Sequence, residues 1–122
     1  MIDAAAGRHG VDPSLLRAIA WQESGWNQSA VSSAGAIGVM QLLPSTASWV
    51  GSDLLGRPLD PNAAADNIEG GAAFLSWLMR STGDTSTAIG SYYQGLASVR
   101  SRGFYDDTSA YVSSVLALRG RV

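Results

Sequence analysis

Cysteine is absent from the 122 residues and so is lysine, so that every basic side chain is an arginine, and the arginines are scattered. Without a thiol there is neither a disulfide framework nor a thiolate metal site, and the lone His9 cannot assemble a metal centre. No metal and no cofactor is therefore expected. Charged residues make up only 15% of the chain, and the net charge of −2 gives no electrostatic footprint for nucleic acid or for an anionic membrane. A long apolar run and a basic leader segment are both missing, so neither a membrane span nor a signal peptide is expected within these residues. Repeats, low-complexity runs and convincing alternating strands are missing too.

What is present is a mainly α-helical pattern. The hydrophobic content of 46% excludes a disordered chain, and the length suits one domain over residues 1–122 rather than two. Asp3 to His9 reads as a short alanine-rich helix that Gly10 ends, with His9 at its last turn. Asp12-Pro13 combines an N-cap with a first-turn proline and opens a second helix, about Pro13 to Ser24. Gly25 to Gly38 is rich in Ser, Gly, Ala and Asn and reads as irregular turns with at most a small strand pair. Pro44 begins a short helix through about Val50, and Gly51 to Pro58 reads as an exposed loop. Asp60-Pro61 repeats the cap-plus-proline signal for a helical region to about Ser81, with Ile68, Ala72, Leu75, Leu78 and Met79 on its buried stripe. Gly70-Gly71 inside it costs on the order of 1 kcal/mol of helix propensity per glycine, which points to a close approach by another element. Asp84 caps a helix through Tyr93 that Gly95 stops, and Leu96 to Arg102 forms a shorter one. A final helix, capped at Asp106 or Asp107, carries Tyr111, Val112, Val115 and Leu116 on one face.

Within this pattern one acid stands out. Leu16, Ile19, Ala20 and Glu23 follow one another at spacings of three and four, so Glu23 lies on the stripe that faces the interior. Gly25 places it in the last helical turn, where the backbone dipole disfavours a carboxylate. Burial and the helix end both push its pKa upward, which is the profile of a general acid. A glutamate late in a helix is most often a solvated surface residue. Its neighbours set this one apart: Glu23-Ser24-Gly25, Ala30-Val31-Ser32, Gly35-Ala36-Ile37-Gly38-Val39-Met40-Gln41 and Pro44-Ser45-Thr46-Ala47, followed by Asn67-Ile68 with Gly71, Ser91-Tyr92-Tyr93-Gln94-Gly95, and Thr108 with Tyr111-Val112.

In order and spacing these motifs resemble the soluble-type lytic transglycosylase domain, a relative of goose-type lysozyme, over about Val11 to Leu116. The resemblance implies a lysozyme-like fold and cleavage of the bond between N-acetylmuramic acid and N-acetylglucosamine, with Glu23 acting as acid and then as base and 1,6-anhydro-muramic ends as products. It further implies substrate contacts from Ser32, Met40, Gln41, Tyr92 and Tyr111, peptidoglycan glycan strands as partner, and a monomer of bacterial or phage origin working outside the cytoplasm, at the cell wall or secreted. A domain of a longer exported protein would fit that location. The sequence departs from the family pattern at Tyr93, where Asn is usual, and at Gln94, where Ala is usual. Tyr93 is read as a substrate contact that stacks on sugar in place of the lost Asn. Of the four tryptophans, Trp26 is assigned to the groove and Trp21, Trp49 and Trp77 to the core.

Glycosidases usually employ a second carboxylate. Between Glu23 and Asp53 there is none, and Glu69 is expected on a solvent-facing position. This favours the transglycosylase. A hydrolase would need Asp53, Asp60 or Asp84 to fold back toward Glu23, and a catalytically weak glycan-binding module is the remaining alternative.

Overall fold

The computed structural model of the protein describes all 122 residues. Seven α-helices follow in order: α1 Ile2–His9, α2 Pro13–Ser24, α3 Pro44–Trp49, α4 Ala64–Thr82, α5 Thr85–Gln94, α6 Leu96–Arg102 and α7 Asp106–Leu118, with a π-helical turn Val50–Leu55 directly after α3. α4 packs against α1 and α5, α2 against α1 and α7, and α5 also against α6 and α7. Leu15, Leu16 and Ile19 of α2, Leu75 and Leu78 of α4, Ile89 of α5 and Val115 of α7 meet in one buried cluster. Its apolar area removed from water is the main force holding the helices together.

α2 starts and stops where local chemistry dictates. The Asp12 carboxylate accepts from the Ser14 N–H at 2.8 Å, Pro13 occupies the first turn, and Gly25 closes the helix in the left-handed region at φ 62°. The glycine pair of α4 has the reason expected of it. A Cβ on Gly70 would lie 2.5 Å from Leu59 Cδ2, and one on Gly71 would overlap Met40 Cγ, so α4 admits the 37–43 segment and Leu59 at closer range than any side chain would permit.

Several boundaries differ from the sequence reading. α3 ends at Trp49, and the next residues wind into the π-helical turn with Val50 and Gly51 buried, while Ser52, Asp53 and Gly56 to Pro58 are exposed as expected of a loop there. Gly51 allows this, since a Cβ there would sit 2.7 Å from the Arg57 carbonyl oxygen. Asp60 does not cap α4: its side chain accepts from the Asn62 N–H at 3.0 Å in a turn that precedes the helix, which starts at Ala64. Asp106 and Asp107 lie inside the first turn of α7, where the helix dipole favours acids, while the cap position is Tyr105. Leu116 points away from the buried face and is exposed. The irregular segment after α2 contains only two isolated antiparallel bridges, Val31 with Ile37 and Ile37 with Leu42, because its turns leave no run of extended residues long enough to form a ladder.

Glu69 is not a solvated acid. Its carboxylate receives Arg8 Nη2 at 2.6 Å and His9 Nε2 at 3.0 Å, which fastens α1 to α4. The Arg8 hydrogen bond, opposed by partial burial and assisted by His9, holds its pKa below the ordinary value. It is thus committed to a structural ion pair.

Candidate active site

The last turn of α2 projects Glu23 into a cleft of about 310 Å³, whose walls include Ser32, Gln41, Thr46, Phe74, Tyr92 and Tyr93. Four helices, α2 to α5, and one irregular segment line it, and α7 supports α2 from behind. α2 and α7 are pinned side by side by Ser114 donating to Gln22 Oε1, and by Tyr111 Oη donating to Glu23 Oε2 at 3.1 Å. Burial pushes the Glu23 carboxyl up to about 7, and the Tyr111 hydrogen bond works in the opposite direction. Burial, reinforced by the nearby Glu23, raises the Tyr111 and Tyr92 hydroxyls well above their ordinary range, so both stay neutral donors.

The opposite wall is the segment 28–43, and its shape is imposed by two side-chain amides, one buried and one half-buried. Asn67 on α4 is fully buried; its Oδ1 accepts from Met40 N–H at 2.8 Å, and its Nδ2 donates to the carbonyls of Ile37 at 2.8 Å and Pro61 at 2.9 Å. Gln28 Oε1 accepts from Val39 N–H, and Gln28 Nε2 donates to Pro61 O, both at 3.0 Å. Gly38, at φ 79°, leaves room for both amides, because a Cβ there would lie 2.5 Å from each of them. Backbone polar groups in a packed interior must be paired, and here side chains supply what a strand ladder would otherwise provide. Ser24 Oγ joins the acid's own helix to the same segment by donating to Val39 O at 2.8 Å.

Gln41 occupies the left-handed region at φ 50°, unusual for a residue with a side chain. Its Nε2 donates to Ala30 O at 3.1 Å and Gly38 O at 2.9 Å, which fixes the amide along the cleft wall. Ser32 lines the cleft and also closes a turn, with its hydroxyl accepting from Ala36 N–H at 3.0 Å. The Tyr92 hydroxyl donates to Met40 O at 2.7 Å while its ring packs against Phe74 with centroids 5.2 Å apart. Tyr93 is 45% exposed along the cleft, stacked on Tyr111 with centroids 4.6 Å apart and planes at 24°.

Of the residues singled out in the sequence, Glu23, Ser32, Gln41, Tyr92 and Tyr93 therefore share one cleft, and Tyr111 touches the acid from behind. Met40 does not join them: its side chain is wholly buried against Gly71, and its carbonyl oxygen is held by the Tyr92 hydroxyl. Trp26 also lies elsewhere. It donates its indole N–H to Arg17 O at 3.1 Å and lines a separate cavity with Met1, Ile2 and Val39. Trp21 meets it edge to face and is 43% exposed, so it is not core; Trp49 and Trp77 do pack together, with centroids 4.7 Å apart. Gln94 is turned from the cleft and binds Gly103 O and Thr108 Oγ1. Asn67, Gln28 and Phe74 carry weight that the sequence reading did not assign to them. Asn67 enters the sequence pattern only as part of the Asn67-Ile68 motif, and its place beside Ile68 on the buried stripe of α4 is the signal for its role.

Glu23 is the only carboxylate lining the cleft. Asp53 accepts from Ser52, Asp60 from Asn62 and Asp84 caps α5, and none of the three reaches the acid's cavity. The arrangement offers a proton at a single half-buried carboxyl, neutral donors around it, and apolar and aromatic walls suited to pyranose faces.

Comparison with known proteins places these features in context. The profile of the Transglycosylase SLT domain matches residues 1–112. The chain is 37% identical over 94 residues to a transglycosylase of Enterobacteria phage PRD1, covering 77% of this chain and 33% of that one. It superposes on an inactive mutant of the lytic transglycosylase Slt from Pseudomonas aeruginosa with a TM-score of 0.87 at 29% identity, over 97% of this chain and 22% of that one. The 70-kDa soluble lytic transglycosylase of Escherichia coli follows with a TM-score of 0.78 at 26% identity, over 96% and 23% of the respective chains. The chain thus spans about a third of the phage relative and under a quarter of the two solved chains.

Proposed function

The chain belongs to the transglycosylase SLT domain family, matched over residues 1–112, and from that premise we propose that it is a lytic transglycosylase acting on peptidoglycan glycan strands. The observation that carries this reading is the solitary carboxyl: Glu23 sits in a cleft with no second acid, and burial holds it near pKa 7. A retaining or inverting glycosidase ordinarily needs two carboxylates, about 5 to 9.5 Å apart. A single acid suffices when the substrate supplies the other groups.

In the proposed reaction Glu23 gives its proton to the oxygen linking N-acetylmuramic acid to N-acetylglucosamine, and the C1–O bond breaks. The muramic N-acetyl group stabilises the cationic C1. The Glu23 carboxylate, now held by the Tyr111 hydroxyl, takes the proton from the C6 hydroxyl as O6 bonds to C1. One proton leaves Glu23 and one returns, and no water is consumed. The intramolecular hydroxyl has an effective molarity orders of magnitude above that of a water lacking a dedicated base. Ser32, Gln41, Tyr92 and Tyr93 are assigned to holding the strand, as the residues that line the cavity beside the acid. Met40 acts only through its backbone. Such a substrate lies outside the cytoplasm, and the chain is assigned to that side; no helix in it is long and apolar enough to cross a membrane.

Digestion of purified peptidoglycan followed by mass spectrometry tests the reading. The muramic ends should weigh one water less than hydrolysis products and resist borohydride reduction. Reducible N-acetylmuramic ends as the main product would make the chain a hydrolase, and no product at all would leave it a binding module.

A further inference from the structure

Tyr93 and Gln94, the two positions where the sequence departs from the motif it otherwise follows, reach adjacent residues of α7, Asp107 and Thr108. The Tyr93 hydroxyl donates to Asp107 Oδ2 at 2.8 Å. Gln94, next to it at the end of α5, fixes where Asp107 stands. Its Nε2 donates to Gly103 O at 2.9 Å, and its Oε1 accepts from Tyr105 N–H at 3.2 Å and from Thr108 Oγ1 at 2.7 Å. Thr108 is fully buried, so the residue following Asp107 is locked to α5 through that bond.

The Tyr93 ring is thereby held at both ends of its freedom. One face lies on Tyr111, which is only 6% exposed, and the hydroxyl tip is tied to a carboxylate. The other face is open along the cavity that holds Glu23 and Gln41. An exposed tyrosine without such a tip contact would sample several rotamers and would have to be ordered by each ligand it bound. An aromatic ring fixed in advance offers the apolar C–H face of a pyranose a ready surface.

We propose that Asp107 is a positioning residue for glycan binding, holding Tyr93 through its hydroxyl as a preformed stacking wall for one pyranose beside Glu23. The inference rests on the glycan-strand reading of the cleft, and adds a residue outside the cavity lining together with the means by which it acts. Asp107 touches no substrate; its effect passes entirely through Tyr93.

The test is the affinity for N-acetylglucosamine oligomers, measured by calorimetry in the Glu23→Gln chain so that nothing is cleaved. Tyr93→Phe and Asp107→Ala should each weaken binding about 5-fold, the size of one hydrogen bond's contribution. The double variant should be no weaker than either single one, because both remove the same contact. Asp107→Asn, which keeps an acceptor oxygen for the tyrosine hydroxyl, should restore the affinity to within about 2-fold. A merely structural role for Asp107 would lower the thermal midpoint without this pattern. Unchanged binding in Tyr93→Phe, multiplied effects in the double variant, or no rescue by Asp107→Asn would each overturn the proposal. Absence of any oligomer binding in the Glu23→Gln chain with Tyr93 and Asp107 intact would instead overturn the glycan reading, and this inference with it.

Discussion

Glu23→Gln should fold and lose about 10²- to 10⁴-fold of its glycan cleavage, the range that general acid–base catalysis supplies. The amide fills the same space and can still accept the Tyr111 hydroxyl, but it has no proton to give and cannot take one back. Turnover of purified peptidoglycan, followed by release of soluble muropeptides, measures the loss. The same variant has an opposite effect on stability. Folding raises the Glu23 pKa, so the native state holds a proton that the unfolded chain gives up. Below about pH 4.3 the carboxyl is neutral in both states, and as pH rises through about 7 the native state loses that advantage. Relative to Gln at the same place, the parent chain therefore weakens across this window, by about 3 to 4 kcal/mol once fully ionised. Urea unfolding at pH 4 and pH 8 should show the variant gaining only at the higher pH. Parental activity in the variant would remove Glu23 from the chemistry.

Asn67→Ala should be the most damaging small substitution outside the acid itself. The side chain is fully buried and spends its acceptor on Met40 N–H and its two donors on Ile37 O and Pro61 O. Alanine leaves three backbone groups without that partner, and each buried polar group left unpaired costs about 1 to 3 kcal/mol. Pro61 O keeps Gln28 as a donor and Ile37 O keeps the Leu42 N–H, so Met40 N–H alone is orphaned and the expected loss is about 2 kcal/mol, or a thermal midpoint lower by about 8 °C. Because these bonds shape the wall that carries Gln41 and the Tyr92 anchor, cleavage should fall as well, at temperatures where the chain is still folded. Thermal unfolding by circular dichroism, paired with activity well below the midpoint, checks both parts. A midpoint within about 2 °C of the parent would show that water or neighbouring groups replace the amide.

Asn67 also marks the boundary of what local sequence patterns convey. The helix carrying Glu23, its stop at Gly25 and the close approach at Gly70-Gly71 were legible, because caps, stripes and glycine geometry depend on residues a few positions apart. The motif order around Glu23 led to the lysozyme-like transglycosylase fold, and family membership and superposition bear that out. Interactions across the chain were not legible. Asn67 reaches 27 residues back to Met40, and Glu69 reaches 60 residues back to His9, so neither partner leaves a periodic trace. Met40 was assigned to the cleft by its motif, yet the missing Cβ of Gly71 draws its side chain into the core. Trp26 follows the helix of Glu23 directly, but the left-handed Gly25 and Trp26, at φ 62° and 63°, carry it to another face. The helix starts at Ala64 and Asp106 were misplaced for a related reason: each nearby aspartate satisfies a turn or a helix dipole as readily as it caps.

The chain contains only two glutamates, Glu23 and Glu69, and this makes the central claim open to direct measurement. In protein labelled with ¹³C at the glutamate carboxyl, two resonances can be followed from pH 3 to pH 9. One should titrate with a midpoint of about 7 and vanish in Glu23→Gln, while the other, held by Arg8 and His9, should titrate below the ordinary glutamate value. The pH dependence of cleavage should fall on the alkaline side with the first of these midpoints. If both resonances instead titrate near ~4.3, the value of an unperturbed glutamate, Glu23 is a carboxylate at neutral pH and has no proton to deliver to the glycosidic oxygen.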